Sequence, residues 1–471
     1  MPADEPTAYE RAITLLYERI NYERTADSAP YAFRLQRMHE FLDRFDLHGI
    51  AGRDVPVVHI AGTKGKGSTA SMVAAMLSAG GFRTGLYTSP HLLRLEERFT
   101  VDGQLATESE VVSLIHDVAA EGTRMEAAGL GAPTFFEFST AMALLHFRRR
   151  DCRAVVLEVG LGGRLDSTNV CYPAVTAITS IGLDHQHILG HTLAEIASQK
   201  AGIIKPGVPV VSGTTAPDAA DVIRETAERV GADLYEINRD FRVIANSGGQ
   251  VTGTPSGDDE WTTRFDLVSL NEKLASRSRW HVALDGDHQA ANASVACAMM
   301  DLLAERSGVV VPWDIQKTAL GNMSVMGRVQ RFRVRDGVDI ILDTSHNFDS
   351  IAALCQCIGR RRQGRHVTIV FGTSRDKDHR VMLDQLRQCA DALVLTRYHK
   401  NPRFREPEEL LADVRDDDWT DRGAVTICVD PADAVRGAVA GRLGPHLIVV
   451  CGSFFLAAEV HATVIDVARG A

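Results

Sequence analysis

The chain is poor in several features that would mark it early. It carries no long basic run, and 61 acidic against 51 basic side chains leave a formal net charge of −10, which argues against a nucleic-acid surface. No apolar run approaches the ~20 residues of a membrane span. The segment Met1-Pro2-Ala3-Asp4-Glu5 is acidic and polar, so no signal peptide is expected. The eight cysteines are scattered. Their only close pair, Cys355 and Cys357, lacks the second pair of a metal site, so all read as thiols of a reducing cytoplasm. Internal repeats are absent too. The 45% hydrophobic content suffices for ordinary packed cores, and 471 residues suggest two or three domains of about 150 residues each.

What is present is organised around Ile60-Ala61-Gly62-Thr63-Lys64-Gly65-Lys66-Gly67-Ser68-Thr69. An apolar run over 55–60 precedes it and reads as a buried strand. Residues 69–79 follow and read as a helix. Strand, glycine loop, lysine, hydroxyls and helix are the context of a phosphate-binding loop. Glycines let backbone N–H groups turn toward one anion, and the helix N-terminus adds partial positive charge. Lys66 supplies a full charge, and Ser68 or Thr69 can reach a metal on the phosphates. The spacing departs from the standard G-x-x-x-x-G-K-[ST]: Gly62 stands three residues before Gly65, and Gly67 separates Lys66 from Ser68.

Along the chain, residues 9–21 and 31–45 pattern as amphipathic helices, as do 108–128 and 136–149. Strands are expected at 83–87, 154–159, 174–178 and 208–212. Such alternation implies a mostly parallel sheet with helices on both faces, and ligands on such sheets sit at the carboxyl ends of the strands. The phosphate loop, Ser89, Glu158 and His185 all fall at or just past strand ends. Residues 240–280 are polar, Gly/Ser-rich around 247–259, and read as an exposed loop or hairpin excursion. A helix over 287–304 follows. The strand–helix pattern restarts after Gly327-Arg328, with strands expected at 339–342, 367–371, 392–395, 425–429 and 447–450. The fold class is therefore α/β, with a P-loop-type domain over 1–325 and a smaller Rossmann-like domain over 326–471.

Several residues admit two readings. Glu158, followed by glycines, suits a hard cation on nucleotide phosphates, or it caps a helix or pairs at the surface. His185 is a ligand or a partner of Asp184. Lys200, on an apolar helix end, belongs to a site or to the surface. Asp343 and His346, just after a strand, can meet a ribose or phosphate. Gln289 and Asn292 at a helix start can bond adenine or cap the helix.

Taken together these residues resemble the folylpolyglutamate synthase/dihydrofolate synthase family, a branch of the Mur ligases. The resemblance rests on Gly62-Thr-Lys-Gly-Lys-Gly-Ser68, Thr88-Ser-Pro-His-Leu92, Leu157-Glu-Val-Gly-Leu-Gly-Gly-Arg-Leu-Asp166, Leu183-Asp-His185, Lys200-Ala-Gly-Ile-Ile-Lys-Pro-Gly207, His288-Gln-Ala-Ala-Asn292, Gly327-Arg328, Asp343 with His346-Asn347, and Gly452-Ser453. Ile20-Asn-Tyr-Glu23 and Thr134-Phe-Phe-Glu137 are also family-like. The motifs span nearly the whole chain in order.

The resemblance implies a two-domain, cytoplasmic, monomeric enzyme. It would use ATP and two magnesium ions to add L-glutamate to dihydropteroate or a reduced folate through an acyl phosphate. Gly62, Thr63, Lys64, Gly65, Lys66, Gly67, Ser68 and Thr69 would cradle the nucleotide. Ser89 and Glu158 would ligate magnesium and His185 a second ion. Lys200 matches the lysine that the family carbamylates, a change that turns a cation into a metal-binding anion. Asn292, Arg328, Asp343 and His346 would contact ATP. Lys64 stands where many members have asparagine, Met326-Gly327-Arg328 lacks a proline, and Thr344-Ser345 replaces Gly-Ala. Two other readings remain: a Mur-type amide ligase for another substrate, and a P-loop nucleotide switch that does not ligate.

Overall fold

The computed structural model describes residues 6–18, 35–245, 261–335, 337–414, 424–440 and 444–470. The family-like Ile20-Asn-Tyr-Glu23 and the Gly/Ser-rich stretch 247–259 lie outside them. The chain forms two compact units, the second beginning at Ser324 and also taking in Trp261, Thr262 and Leu284–Gly286.

The first unit holds a seven-stranded sheet of β1 (Val57–Ala61), β2 (Thr84–Tyr87), β3 (Phe99–Val101), β4 (Ala154–Glu158), β5 (Val175–Ile178), β6 (Val210–Ser212) and β7 (Leu234–Glu236), in the order β3-β2-β4-β1-β5-β6-β7. All neighbours run parallel except the β2–β3 pair. Every residue of β1, β4 and β5 is buried, as strands covered on both faces require. Each fully buried valine or isoleucine there contributes roughly 1.5–3 kcal/mol. The Phe135–Arg149 helix is buried along most of its length and starts on a Thr134–Glu137 capping box. Equivalent boxes start Glu108–Ala127 and Leu193–Ala201.

Register sets the location of the site. Ile60 pairs with Glu158, Ala61 with Ile178, and Tyr87 with Leu157. The chain therefore leaves β2, β4, β1 and β5 along one carboxyl edge, into Thr88-Ser89, Val159-Gly160, Gly62 and Thr179.

The expected parallel α/β sheet is present, with two additions. The three-residue strands β3 and β7 extend its edges beyond the expected set. Of the two readings of residues 240–280, the hairpin is nearer, but the segment carries a third strand and is partly buried. Its described part forms an antiparallel sheet, β8 (Phe241–Ala245), β9 (Thr263–Ser269) and β10 (Arg277–Val282), in the order β10-β9-β8. Phe241, Phe265, Leu267, Trp280 and Val282 are buried, and the sheet packs against the Asp287–Ser307 helix. Outward-facing Arg242, Arg264 and Asp266 give the segment its polar composition.

The second unit holds β11 (Gln330–Arg335), β12 (Val338–Leu342), β13 (His366–Phe371), β14 (Ala392–Leu395), β15 (Val425–Ile427) and β16 (His446–Cys451) in the order β11-β12-β16-β13-β14-β15. Only β11 is antiparallel to its neighbour. Its core gathers Ile341, Ile351, Leu354, Ile369, Phe371, Leu395, Leu447 and Val449.

Candidate active site

The glycine loop leaves β1 at Gly62, and the helix begins earlier than its apolar pattern suggests, at Lys66 rather than Thr69. Lys66, Gly67 and Ser68 thus form its first turn, where backbone N–H groups have no intrahelical acceptor. Gly65, the N-cap, has φ +81°. Its missing side chain makes room for Asn292: a Cβ there would stand 2.2 Å from the Asn292 side-chain Oδ1. Asn292 donates to Gln289 at 3.1 Å.

The segment just past β5 holds this loop from the side. Thr63 N donates to Ser180 O at 2.7 Å and Lys64 N to Ser180 Oγ at 3.1 Å. Thr179 Oγ1 donates to Lys64 O at 2.6 Å, and Gly182 N to Thr63 Oγ1 at 3.0 Å. Sequence reasoning assigned Thr179 and Ser180 no part, because their partners lie over a hundred residues away. Thr69 is fully buried beneath the loop, and Ser68 is buried beside it.

Two buried ionisable groups flank the loop. The Glu158 carboxylate, at the end of β4, accepts from Ser89 N at 3.1 Å. It faces Gly67 so closely that a Cβ on Gly67 would lie 3.2 Å from Oε2. At 4% exposure this is not a surface pair. Lys200 is 5% exposed and donates from Nζ to Gly62 O at 2.8 Å, so it is not a surface lysine. Burial, and then the Lys66 charge, push it down to about 7, against smaller opposing pulls from Asp184 and Asp166.

His185 sits at φ +48° at the start of a short helical turn. Its side chain is about half exposed, with Nε2 3.9 Å from Asp184 Oδ1. Among the described residues, no group of three or more His, Cys, Asp or Glu side chains is arranged to hold a metal ion. Magnesium does not need such a cage, since it keeps several waters and takes one or two carboxylates plus substrate phosphates. A buried carboxylate against the loop's first helical turn suits that requirement.

Asp166 organises the glycine segment after β4. Its Oδ2 accepts from Gly160 N and Leu161 N at 3.1 and 3.0 Å, and its Oδ1 from Thr168 N and Oγ1. Burial raises its pKa, opposed by those hydrogen bonds. Thr168 in turn meets His59, whose burial pushes it down to about 3 and keeps it neutral. The glycines between Gly160 and Asp166 were the available signal, since such a run needs an acceptor for its bare N–H groups.

In the second unit, Asp343 follows β12. Its Oδ2 accepts from Val329 N at 2.8 Å, and its Oδ1 from Ser345 N at 2.8 Å and from the Ser345 hydroxyl. Thr344 N and Oγ1 both donate to Gly327 O, so the Thr344-Ser345 replacement is absorbed by local hydrogen bonds. The Arg328 guanidinium lies 5.6 Å from the Phe454 ring centroid and the His346 ring 5.4 Å from it. His346 Nδ1 is 2.9 Å from Thr344 O, which fixes the proton on Nδ1. Arg328, Asp343 and His346 are thus one cluster.

The Mur ligase middle-domain model matches residues 60–300, and the Mur ligase glutamate ligase domain model matches 327–454. The dihydrofolate synthase/folylpolyglutamate synthase of Bacillus subtilis (strain 168) is 29% identical over 457 residues, 96% of this chain and 98% of that protein. The folylpolyglutamate synthase of Lacticaseibacillus casei is 32% identical over 415 residues, 87% and 90% of the two chains. The structure of Mycobacterium tuberculosis folylpolyglutamate synthase complexed with ADP and AMPPCP superimposes with TM-score 0.79 at 28% identity, covering 97% of this chain and 98% of that one.

Proposed function

The chain belongs to the folylpolyglutamate synthase/dihydrofolate synthase family of Mur ligases, and on that premise we propose how its residues divide the work of joining glutamate to a pteroate or folate carboxylate. It is an ATP-dependent ligase: the γ-phosphate passes to the carboxylate, the glutamate amine attacks the acyl phosphate, and phosphate leaves. The reading rests above all on the clamped loop with Glu158 against its first helical turn.

Residues 62–69 cradle the nucleotide phosphates, chiefly through the N–H groups of the first turn and the Lys66 ammonium. Ser89, Glu158 and His185 hold magnesium, and two ions are proposed. Magnesium held there would neutralise charge on the phosphates. Lys200 becomes a carbamate: its lone pair attacks carbon dioxide, an N–C bond forms, and a proton is released. The depressed value of its amine favours this, and the product is an anion in place of a cation beside Lys66. Asn292 of the first unit and Arg328, Asp343 and His346 of the second serve as nucleotide contacts. Residues 1–325 carry ATP binding and 326–471 the glutamate ligase part. The enzyme is proposed to act as a cytoplasmic monomer. No helix among the described residues is long and apolar enough to cross a membrane.

The test is phosphate release by purified protein with ATP, magnesium and glutamate, supplied separately with dihydropteroate and tetrahydrofolate. Release with dihydropteroate alone assigns a dihydrofolate synthase, with tetrahydrofolate alone a polyglutamylating enzyme, and with both a bifunctional one. Release indifferent to glutamate would overturn ligation in favour of a nucleotide switch.

A further inference from the structure

The sequence puts Cys355 and Cys357 together, but the structure separates them. Cys357 points to Asp285, with Sγ 2.9 Å from Oδ2, and burial together with that carboxylate holds its thiol well above the ordinary range. Cys355, on the same Phe348–Arg361 helix, meets Cys389, just past the His379–Leu386 helix. The two sulfurs are 3.1 Å apart, with the Cys389 S–H donating to Cys355 Sγ. Cys355 also contacts Gln385 O at 3.5 Å, and Cys389 contacts Leu386 O at 3.4 Å.

We propose that Cys355 and Cys389 are a dithiol–disulfide couple, a modification site that takes a low-molecular-weight disulfide as its oxidant. A disulfide needs about 2.05 Å between sulfurs, so the pair lacks only about 1 Å. Cys355 is partly exposed and Cys389 is buried, which orders the steps. The Cys355 thiolate attacks one sulfur of the small disulfide, forming a mixed disulfide and expelling one thiolate. Cys389 gives up its proton and attacks the Cys355 sulfur. The mixed disulfide breaks and releases the second small thiol. Two protein S–H groups become one S–S bond, and the oxidant is reduced to two thiols.

The surroundings select this pair. The hydrogen bond from Cys389 favours the thiolate at Cys355 and lowers its pKa, while raising that of the donor. Burial pushes Cys152 and Cys171 up to about 12 and Cys297 to about 11, and raises Cys451 and Cys428 as well. Oxidation leaves no S–H to meet the carbonyls of Gln385 and Leu386 at the end of the His379–Leu386 helix. It also ties that end to the Phe348–Arg361 helix, whose N-cap Asn347 directly follows His346.

The full-length native protein is equilibrated with mixtures of reduced and oxidised glutathione, alkylated, and mapped without reduction. The expected result is one crosslink, Cys355 to Cys389, reversed by dithiothreitol, with free thiols falling from eight to six. Cys389→Ser leaves a glutathione adduct stranded on Cys355, Cys355→Ser leaves no crosslink, and Cys357→Ser crosslinks as wild type. Eight free thiols throughout, a glutathione adduct persisting on wild-type Cys355, or a crosslink through Cys357 or Cys451 would each overturn the proposal. None of these readouts depends on ligase activity.

Discussion

The side chain of Lys200 crosses from its helix to donate a hydrogen bond to the carbonyl of Gly62, 2.8 Å away, where the phosphate loop begins. Its folded pKa, about 7, lies below its ordinary 10.5. Between those values the unfolded chain holds the extra proton, so stability rises with pH across that window and the full burial penalty applies below it. In buffer stripped of carbon dioxide, Lys200→Met should flatten the rise of the thermal midpoint between pH 7 and pH 10. An unchanged slope in Lys200→Met would show that the amine is not desolvated in solution.

Glu158→Gln preserves the shape of the side chain and an acceptor for Ser89 N while removing the charge. If the carboxylate holds magnesium, several kcal/mol of charge stabilisation are lost, and ligation should fall by more than about 100-fold. The thermal midpoint should move little, because no packing changes. A Glu158→Gln enzyme within a few-fold of wild type would remove Glu158 from the metal site.

Gly65→Ala places a side chain at φ +81° and 2.2 Å from the Asn292 side-chain Oδ1. The backbone cost is about 1–2 kcal/mol, and either the loop or Asn292 must shift. Affinity for a non-hydrolysable ATP analogue, followed by calorimetry, should drop at least tenfold, with a smaller drop when Asn292→Ala is already present. Equal losses in both backgrounds would mean that strain alone is responsible.

Arg37 and Glu137 form a buried ion pair at 2.9 Å, each side chain about 6% exposed. Glu137 also closes the capping box of its helix with Thr134. Glu137→Ala leaves a buried guanidinium without its carboxylate and should cost about 3–5 kcal/mol in urea unfolding. Replacing both residues with methionine should cost less. If the double variant is the less stable of the two, the desolvation argument fails.

The central strands were legible because β1 and β4 are apolar on both faces, so no alternation was needed to find them. Edges were harder. β3 and β7 have three residues each, too few for a pattern. β11, with sequence Gln-Arg-Phe-Arg-Val-Arg, reads as surface until Arg331 pairs with Asp339 at 3.0 Å and lies over Trp261. The glycine loop was readable because its chemistry is contiguous in the chain. The Thr179 and Ser180 bonds that hold it were not, since they depend on the β1–β5 register. Local sequence leaves Lys200 open between a site and the surface, and only the family resemblance singles it out, because nothing local to it reveals that Gly62 supplies its partner.

The bonds from Thr179, Ser180 and Gly182 to the phosphate loop carry a kinetic consequence. A loop fixed to its neighbouring strand gives up its conformational entropy during folding, so little remains to be lost when nucleotide arrives. Capture at such a loop is expected to be a simple second-order encounter without a slow isomerisation behind it, and differences in affinity among nucleotides should then reside in their dwell times.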